Sequence, residues 1–178
     1  MSYFSFFPNL LYDIKGNKNE KLVTDLFNRL KVRQKIVNEI SLYSTYDVID
    51  GDTPESLAYK YYGSTEYNWV ILLINNVIDR YYGWPLTVEQ FEAYISDKYE
   101  NPDGIHHYEI TQSSGKTSGE GPSDYTHKIE VNSTTSGATE VTNREYEQRL
   151  QDEKRQIKIL EVSFLNPFIE EFEKIIKK

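Results

Sequence analysis

Apolar positions along this chain change period several times, and each change marks an element. At Tyr46 and Val48 they alternate, which places both on one face of a short strand. Gly51-Asp52-Thr53-Pro54 then reads as a turn and a helix start. Thr53 or Asp52 serves as N-cap, Pro54 suits the first helical position, and Glu55 adds favourable charge to the first turn. Leu57, Ala58 and Tyr61 fall at helical spacing, and Gly63 suits a left-handed helix end. Ser64 or Thr65 caps a second helix, carrying Trp69 through Ile74 and stopping near Asn75-Asn76. This helix is apolar nearly all round, so it calls for burial on two sides.

The flanks follow other patterns. Residues 3–14 are dense in aromatics but broken by Pro8, which predicts an extended arm; residues 15–21 form a polar loop. Leu22, Val23, Leu26, Phe27 and Leu30 fit an amphipathic helix, and residues 32–40 a helix or extended linker. Beyond an aromatic loop at 77–85, Thr87-Val88-Glu89-Gln90 is a capping box, opening a helix with Val88, Phe91, Ile95 and Tyr99 on one face. Asn101-Pro102-Asp103-Gly104 is a turn. Residues 105–110 and 125–131 alternate, with a weaker strand at 138–141, predicting a β-hairpin or three-stranded meander. Its connection, residues 111–124, has no large apolar residue and reads as a flexible loop. Thr142-Asn143-Arg144-Glu145 caps a polar helix with only Tyr146 and Leu150 as an apolar stripe. Residues 156–160 read as a strand or as the end of that helix. Asn166-Pro167 starts a last helix with Ile169, Phe172, Ile175 and Ile176 on one face. The expected class is α+β. The expected segments are an arm and helix at 1–42, a core with an appended helix at 43–100, a β insert at 101–142 and a helical end at 143–178.

Composition narrows the chemistry. The 178 residues carry a net charge of −8 and no basic block, which argues against nucleic acid as the main partner. There is no Cys, hence no disulfide, thiolate nucleophile or Cys-based zinc site. No apolar run is long enough for a transmembrane helix, and the aromatic start lacks the basic and apolar regions of a signal peptide. Fifteen Tyr, eight Phe and two Trp supply part-polar packing surface, suited to an aromatic core or to interfaces. His106 and His107 are adjacent and on a strand would face opposite ways, so with His127 they read as surface histidines. Asp50, Asp52 and Glu55 lack EF-hand spacing. No nucleophile motif, phosphate loop or cofactor signature is present, so no catalytic, metal or cofactor residue is assigned.

The stretch 46–86 resembles a LysM module. Tyr46 and Val48, Gly51-Asp52-Thr53, Leu57-Ala58, Tyr61 or Tyr62, Gly63, Asn75 or Asn76, and Gly83 with Leu86 follow its order. A LysM closes with a second strand, whereas here a capping box follows at 87–90. The resemblance implies a ligand groove between the loop at 51–56 and the loop at 75–82, with Gly51, Asp52, Thr53, Asn75, Asn76, Tyr81, Tyr82 and Trp84 as candidate residues. In LysM modules such a groove takes N-acetylglucosamine glycans, including peptidoglycan.

Over most of its length the chain also resembles the LysM-containing baseplate wedge proteins, number fifty-three, of contractile-tailed bacteriophages. Tyr3-Phe4, Phe7-Pro8, Tyr12-Asp13, Asp25-Leu26-Phe27, Trp69 to Leu73, Tyr81 to Pro85, Gln156 to Ile159 and the helix Phe168 to Ile176 carry the likeness. It lapses over residues 104–141. The resemblance implies a non-enzymatic protein of the virion tail baseplate, assembled in the host cytoplasm. It implies that the protein joins adjacent wedges and contacts other wedge proteins and inner-baseplate or sheath-side proteins, with neither nucleic acid nor membrane as partner. The candidate assembly surfaces are then Tyr3, Phe4, Phe6, Phe7 and Tyr12 at one end, and Phe168, Phe172 and Ile176 at the other.

Overall fold

A computed structural model describes residues 3–112, 115–116 and 123–177. In chain order the regular elements are β1 (Asn9–Tyr12), β2 (Lys21–Thr24), α1 (Gln34–Val37), β3 (Tyr43–Asp47), α2 (Pro54–Tyr62), α3 (Asn68–Ile74), α4 (Arg80–Gly83), α5 (Val88–Lys98), β4 (Ile105–Gln112), β5 (Gly115–Lys116), β6 (Ser123–Asp124), β7 (His127–Val131), β8 (Thr139–Thr142), α6 (Asn143–Arg155), β9 (Gln156–Leu160) and α7 (Val162–Ile176). Short 3-10 turns sit at Tyr3–Phe6, Ile40–Leu42 and Thr65–Tyr67. The class is α+β. The chain forms two compact units: Met1–Pro85 with Lys154–Lys178, and Leu86–Glu153.

The first unit is built on a strand–helix–helix–strand core. Thr53 caps α2 by accepting the Ser56 N–H, while the Ser56 hydroxyl accepts the N–H of Thr53. Pro54 occupies the first helical position, and Gly63 ends the helix at φ +73°, a conformation costly for any residue with a Cβ. The strand that completes this core does not follow α3. It is β9, paired antiparallel with β3 in the register Tyr43↔Leu160 to Asp47↔Gln156. The sequence left residues 156–160 between strand and helix end; pairing with β3 decides for strand.

The all-round apolar character of α3 has a direct explanation. Ile71 and Leu72 pack with Val48, Leu57, Ala58, Trp84, Ile157 and Ile159. Trp69, Val70, Leu73 and Ile74 pack on the other side, against Phe6, Phe7, Tyr43, Leu160, Leu165, Phe172 and Ile176. The chain's own two ends therefore cover the second face of α3. Leu73 is only half-buried and belongs to this second cluster.

Three expectations at the ends need correction. The segment from Leu22 is not a helix. Asp13 accepts the backbone N–H of Lys15 (3.1 Å) and Lys18 (2.6 Å), and Gly16 and Lys18 adopt positive φ. The chain reverses there and lays β2 along β1, Leu10 opposite Val23 and Leu11 opposite Leu22. Asp25 then accepts the Phe27 N–H at 3.0 Å, a local turn bond that competes with a helix. The arm is accordingly a 3-10 turn plus strand β1, not wholly extended. At the other end α7 starts at Val162, with Pro167 inside it. Burial of Leu165, in line with Phe172 and Ile176, favours the extra turn although Pro167 contributes no N–H to it.

The second unit carries α5, the strands β4 to β8, and α6. Thr87 and Gln90 form the expected capping box, and Phe91 and Ile95 are the buried positions of α5; Val88, expected on the same face, is exposed. The main sheet has the order β7-β4-β8, so β4 is central and β8 pairs on its far side, unlike a simple meander. The connection expected to be flexible lies largely outside the described residues; within it β5 pairs with β6. A bulge between Ile105 and His107 defeats the strict alternation expected of the two histidines. Their Nδ1 atoms lie 2.8 Å apart, and His106 stacks on Tyr146.

Candidate functional site

The loops expected to form a groove are tied together by internal hydrogen bonds of the first unit. The Tyr46 hydroxyl donates to Asp52 Oδ2 at 2.7 Å, and the Ile49 N–H donates to the same oxygen at 3.2 Å. This bond and burial hold the Tyr46 phenol above its ordinary pKa. The Trp84 indole N–H donates to the Asp52 carbonyl at 2.9 Å, with the ring buried. Gly51 makes the turn at φ +83°, and Thr53 is spent on the cap of α2. Gly51, Asp52, Thr53 and Trp84 are thus brought together, in bonds that already have protein partners.

Asn75 and Asn76 part company. The Asn75 amide donates to the Lys158 carbonyl and accepts the Lys158 N–H, both at 2.8 Å, and also donates to the Ile71 carbonyl. It acts as a substitute strand on the outer edge of β9. Asn76 is exposed at φ +53° and accepts from Arg29 Nη2 at 3.2 Å. Tyr81 and Tyr82 are 81% and 75% exposed on α4, whose start is capped by Asp79. Glu55, which the sequence suggested only for a helix dipole, also accepts from Arg80 at 2.6 Å and from Asn68.

The terminal aromatics divide differently from expectation. Phe6, Phe7, Phe172 and Ile176, proposed from sequence as assembly surface, are buried in the first unit's own core. Trp69 is the centre of this cluster, with its ring centroid 4.8 Å from Phe172, 5.6 Å from Phe6, 5.4 Å from Tyr3 and 6.3 Å from Phe168. Tyr3 and Phe168 are half-buried; Phe4 and Tyr12 remain exposed.

Two buried carboxylates in the second unit escaped the sequence reading, in which α6 is a polar helix, largely solvated or held by partners. Glu109 on β4 accepts both guanidinium nitrogens of Arg149, at 2.7 and 3.0 Å, and the Lys128 ammonium at 2.6 Å. The Arg149 pair, against the opposing effect of burial, holds its pKa down to about 2. Glu147 accepts from Lys98 at 2.6 Å and from Tyr99 at 2.8 Å. Burial alone raises a carboxyl pKa, but these donors outweigh it and Glu147 is lowered. Both carboxylates are ionised anchors for α6, and neither has the raised pKa a general acid needs. The one sequence hint was the polar composition of α6. Among the described residues no group of three His, Cys, Asp or Glu is placed to hold a metal ion. Among the described residues no helix is long and apolar enough to cross a membrane.

These features define a class: a protein organised by side-chain bonds that fix its own loops, with aromatic and aliphatic side chains left on its surface. A family model described as base plate wedge protein 53 matches residues 2–175, and the chain belongs to that family. It is similar to the baseplate wedge protein gp53 of Enterobacteria phage T4, with 34% identity over 104 residues. That match covers 57% of this chain and 53% of the relative, so the aligned region spans about half the length of the curated protein.

Proposed function

We propose that this protein is a non-enzymatic structural component of a bacteriophage tail baseplate. It joins adjacent wedges and contacts other wedge proteins and inner-baseplate or sheath-side proteins. The observation that carries this reading is the family match over residues 2–175. The strand–helix–helix–strand core, read as a LysM-like module closed by the distant β9, supplies the rigid body. Segments flanking that core supply the contacts. Exposed Phe4, Tyr12, Tyr81 and Tyr82 are of the residue types that dominate protein interfaces.

Glycan binding is the weaker reading. Asn75, Asp52 and the Trp84 indole N–H, the polar groups a sugar would use, already bond within the chain. Titration calorimetry with chitin and peptidoglycan fragments is expected to give no heat of binding. Micromolar binding lost on changing the 51–56 loop would reverse the order of the two readings. The direct test is assembly. Phage made without this protein should accumulate unjoined wedges, restored by supplying the chain in trans. Normal baseplates in its absence would refute the structural role.

A further inference from the structure

Several positive side chains of this molecule find carboxylates. Arg80 pairs with Glu55, Lys177 with Glu173, Lys98 with Glu147, and Lys128 and Arg149 with Glu109. Such pairing is easy in a chain with 28 acidic and 20 basic residues. One hollow in the first unit is different. It measures about 220 Å³ and is lined by residues 31, 32 and 37, by 73–76 at the end of α3, and by 156 and 158 on β9. None of these lining residues is acidic, and two are lysines. No residue of the 51–56 loop lines it, so it is not the groove that the LysM resemblance implies.

Lys158 is half-buried, and among the described residues its ammonium donates only to the Val37 carbonyl, at 2.6 Å. A carbonyl supplies a dipole but no countercharge, so this ammonium is part-desolvated and uncompensated. Lys31 is exposed and, among the described residues, has neither an ion pair nor a hydrogen bond. Arg29 adds a third cation at the rim, where its Nη2 donates to Asn76 Oδ1 at 3.2 Å. The strand register sets Asp47 opposite Gln156, yet among the described residues Asp47 forms no ion pair with either lysine. Val32, Val37, Leu73 and Ile74 contribute apolar walls.

Resting on the baseplate reading above, we infer that this hollow receives the side chain of an aspartate or glutamate carried by a different protein. The carboxylate sits between Lys31 and Lys158, and its methylene stem lies against Val32, Val37 and Leu73. Small-molecule sites occupy about 300–1,000 Å³, so the hollow suits one side chain better than a sugar chain or a nucleotide. Apolar walls beside the charges favour a carboxylate on a hydrocarbon stem over inorganic phosphate. A two-fold contact between copies would bring the same patch of each together, lysines against lysines, so the carboxylate comes from another kind of chain. An inserted carboxylate supplies the countercharge that Lys158 lacks and fixes the orientation of its carrier.

The test uses the full chain in purified baseplates. Carbodiimide joins a lysine amine to a carboxylate only where the two touch, and the joined peptides are then sequenced. The expected product links Lys31 or Lys158 to an Asp or Glu of another baseplate protein. Lys31→Arg keeps the charge and should enter baseplates as wild type does, without the Lys31 link. Lys31→Glu is expected to enter about tenfold less than wild type while keeping the wild-type melting temperature. Normal entry of Lys31→Glu overturns the inference. So does a link from these lysines only to a second copy of this chain, or no link to any protein, the result for a hollow filled by water or phosphate. Absence of the wild-type chain from purified baseplates would instead overturn the structural role, and the inference with it.

Discussion

At the scale of the residue, Asn75 shows how one side chain replaces a missing neighbour. Among the described residues the outer edge of β9 has no third strand, and the Asn75 amide satisfies the Lys158 N–H and carbonyl together. Asn75→Ala leaves both half-buried groups without a partner, and we expect a loss of about 1–3 kcal/mol by urea unfolding. Glu109 makes a second residue-scale prediction, this one dependent on pH. Its carboxyl is lowered from 4.5 to about 2 in the folded protein, chiefly by Arg149. Its contribution is therefore complete above the unfolded pKa and is lost as pH falls from about 5 toward 2. Glu109→Gln should cost about 1–3 kcal/mol at pH 7, less than a fully enclosed pair because Arg149 and Lys128 are part-exposed and can be resolvated. Thermal melts from pH 7 to pH 2.5 should show a shallower acid decline in that variant than in wild type. Neither role was legible in the sequence. Asn75 was visible as a residue after a helix and as a candidate groove residue, but its bond partner lies 83 positions away.

At the scale of the element, the helices show what local chemistry can specify. The starts of α2 and α5 were readable because Thr53–Ser56 and Thr87–Gln90 close hydrogen bonds within four residues. Thr53→Ala should therefore destabilise by about 1 kcal/mol, and Thr53→Ser by much less, measured by chemical denaturation. The β1–β2 ribbon was misread because Leu22, Val23, Leu26, Phe27 and Leu30 satisfy a helical period. The decisive information lay in Asp13, whose carboxylate bonds make the reversal. In α7 the apolar register outweighed the boundary suggested by Pro167. Phe172 is the contact of that helix nearest to Trp69 and Phe6, so Phe172→Ala should cost about 3–5 kcal/mol. The same substitution should expose the Trp69 indole, read as a red shift in its fluorescence emission.

At the scale of the whole molecule, the first unit is interrupted in sequence and continuous in space. Residues 1–85 and 154–178 share one core, and the Lys154 ammonium donates to the Tyr82 carbonyl at 3.0 Å. The two cut ends of that unit are therefore close enough for a short bridge. Replacing residues 86–153 by a linker of about four Gly and Ser residues should leave a cooperatively unfolding protein with the Trp69 environment intact. Near-ultraviolet circular dichroism checks this; loss of the tryptophan signal would show that the first unit depends on the excised residues. The α+β class was legible because the local periods were strong. The division into units was not, since it rests on the β3–β9 pairing, which no neighbouring residue announces.

That pairing also orders events in time during synthesis. β3 leaves the ribosome more than a hundred residues ahead of β9, and at about 5–20 residues per second it waits several seconds for its partner. Residues 86–153 emerge complete within that interval and are free to fold first. The apolar faces of α2 and α3 meanwhile lack β9 and α7, so nascent chains halted before Gln156 should be protease-sensitive and should recruit chaperones. A partner that recognises the finished first unit would then ignore every incomplete copy, and the late strand would act as a proofreading step on translation.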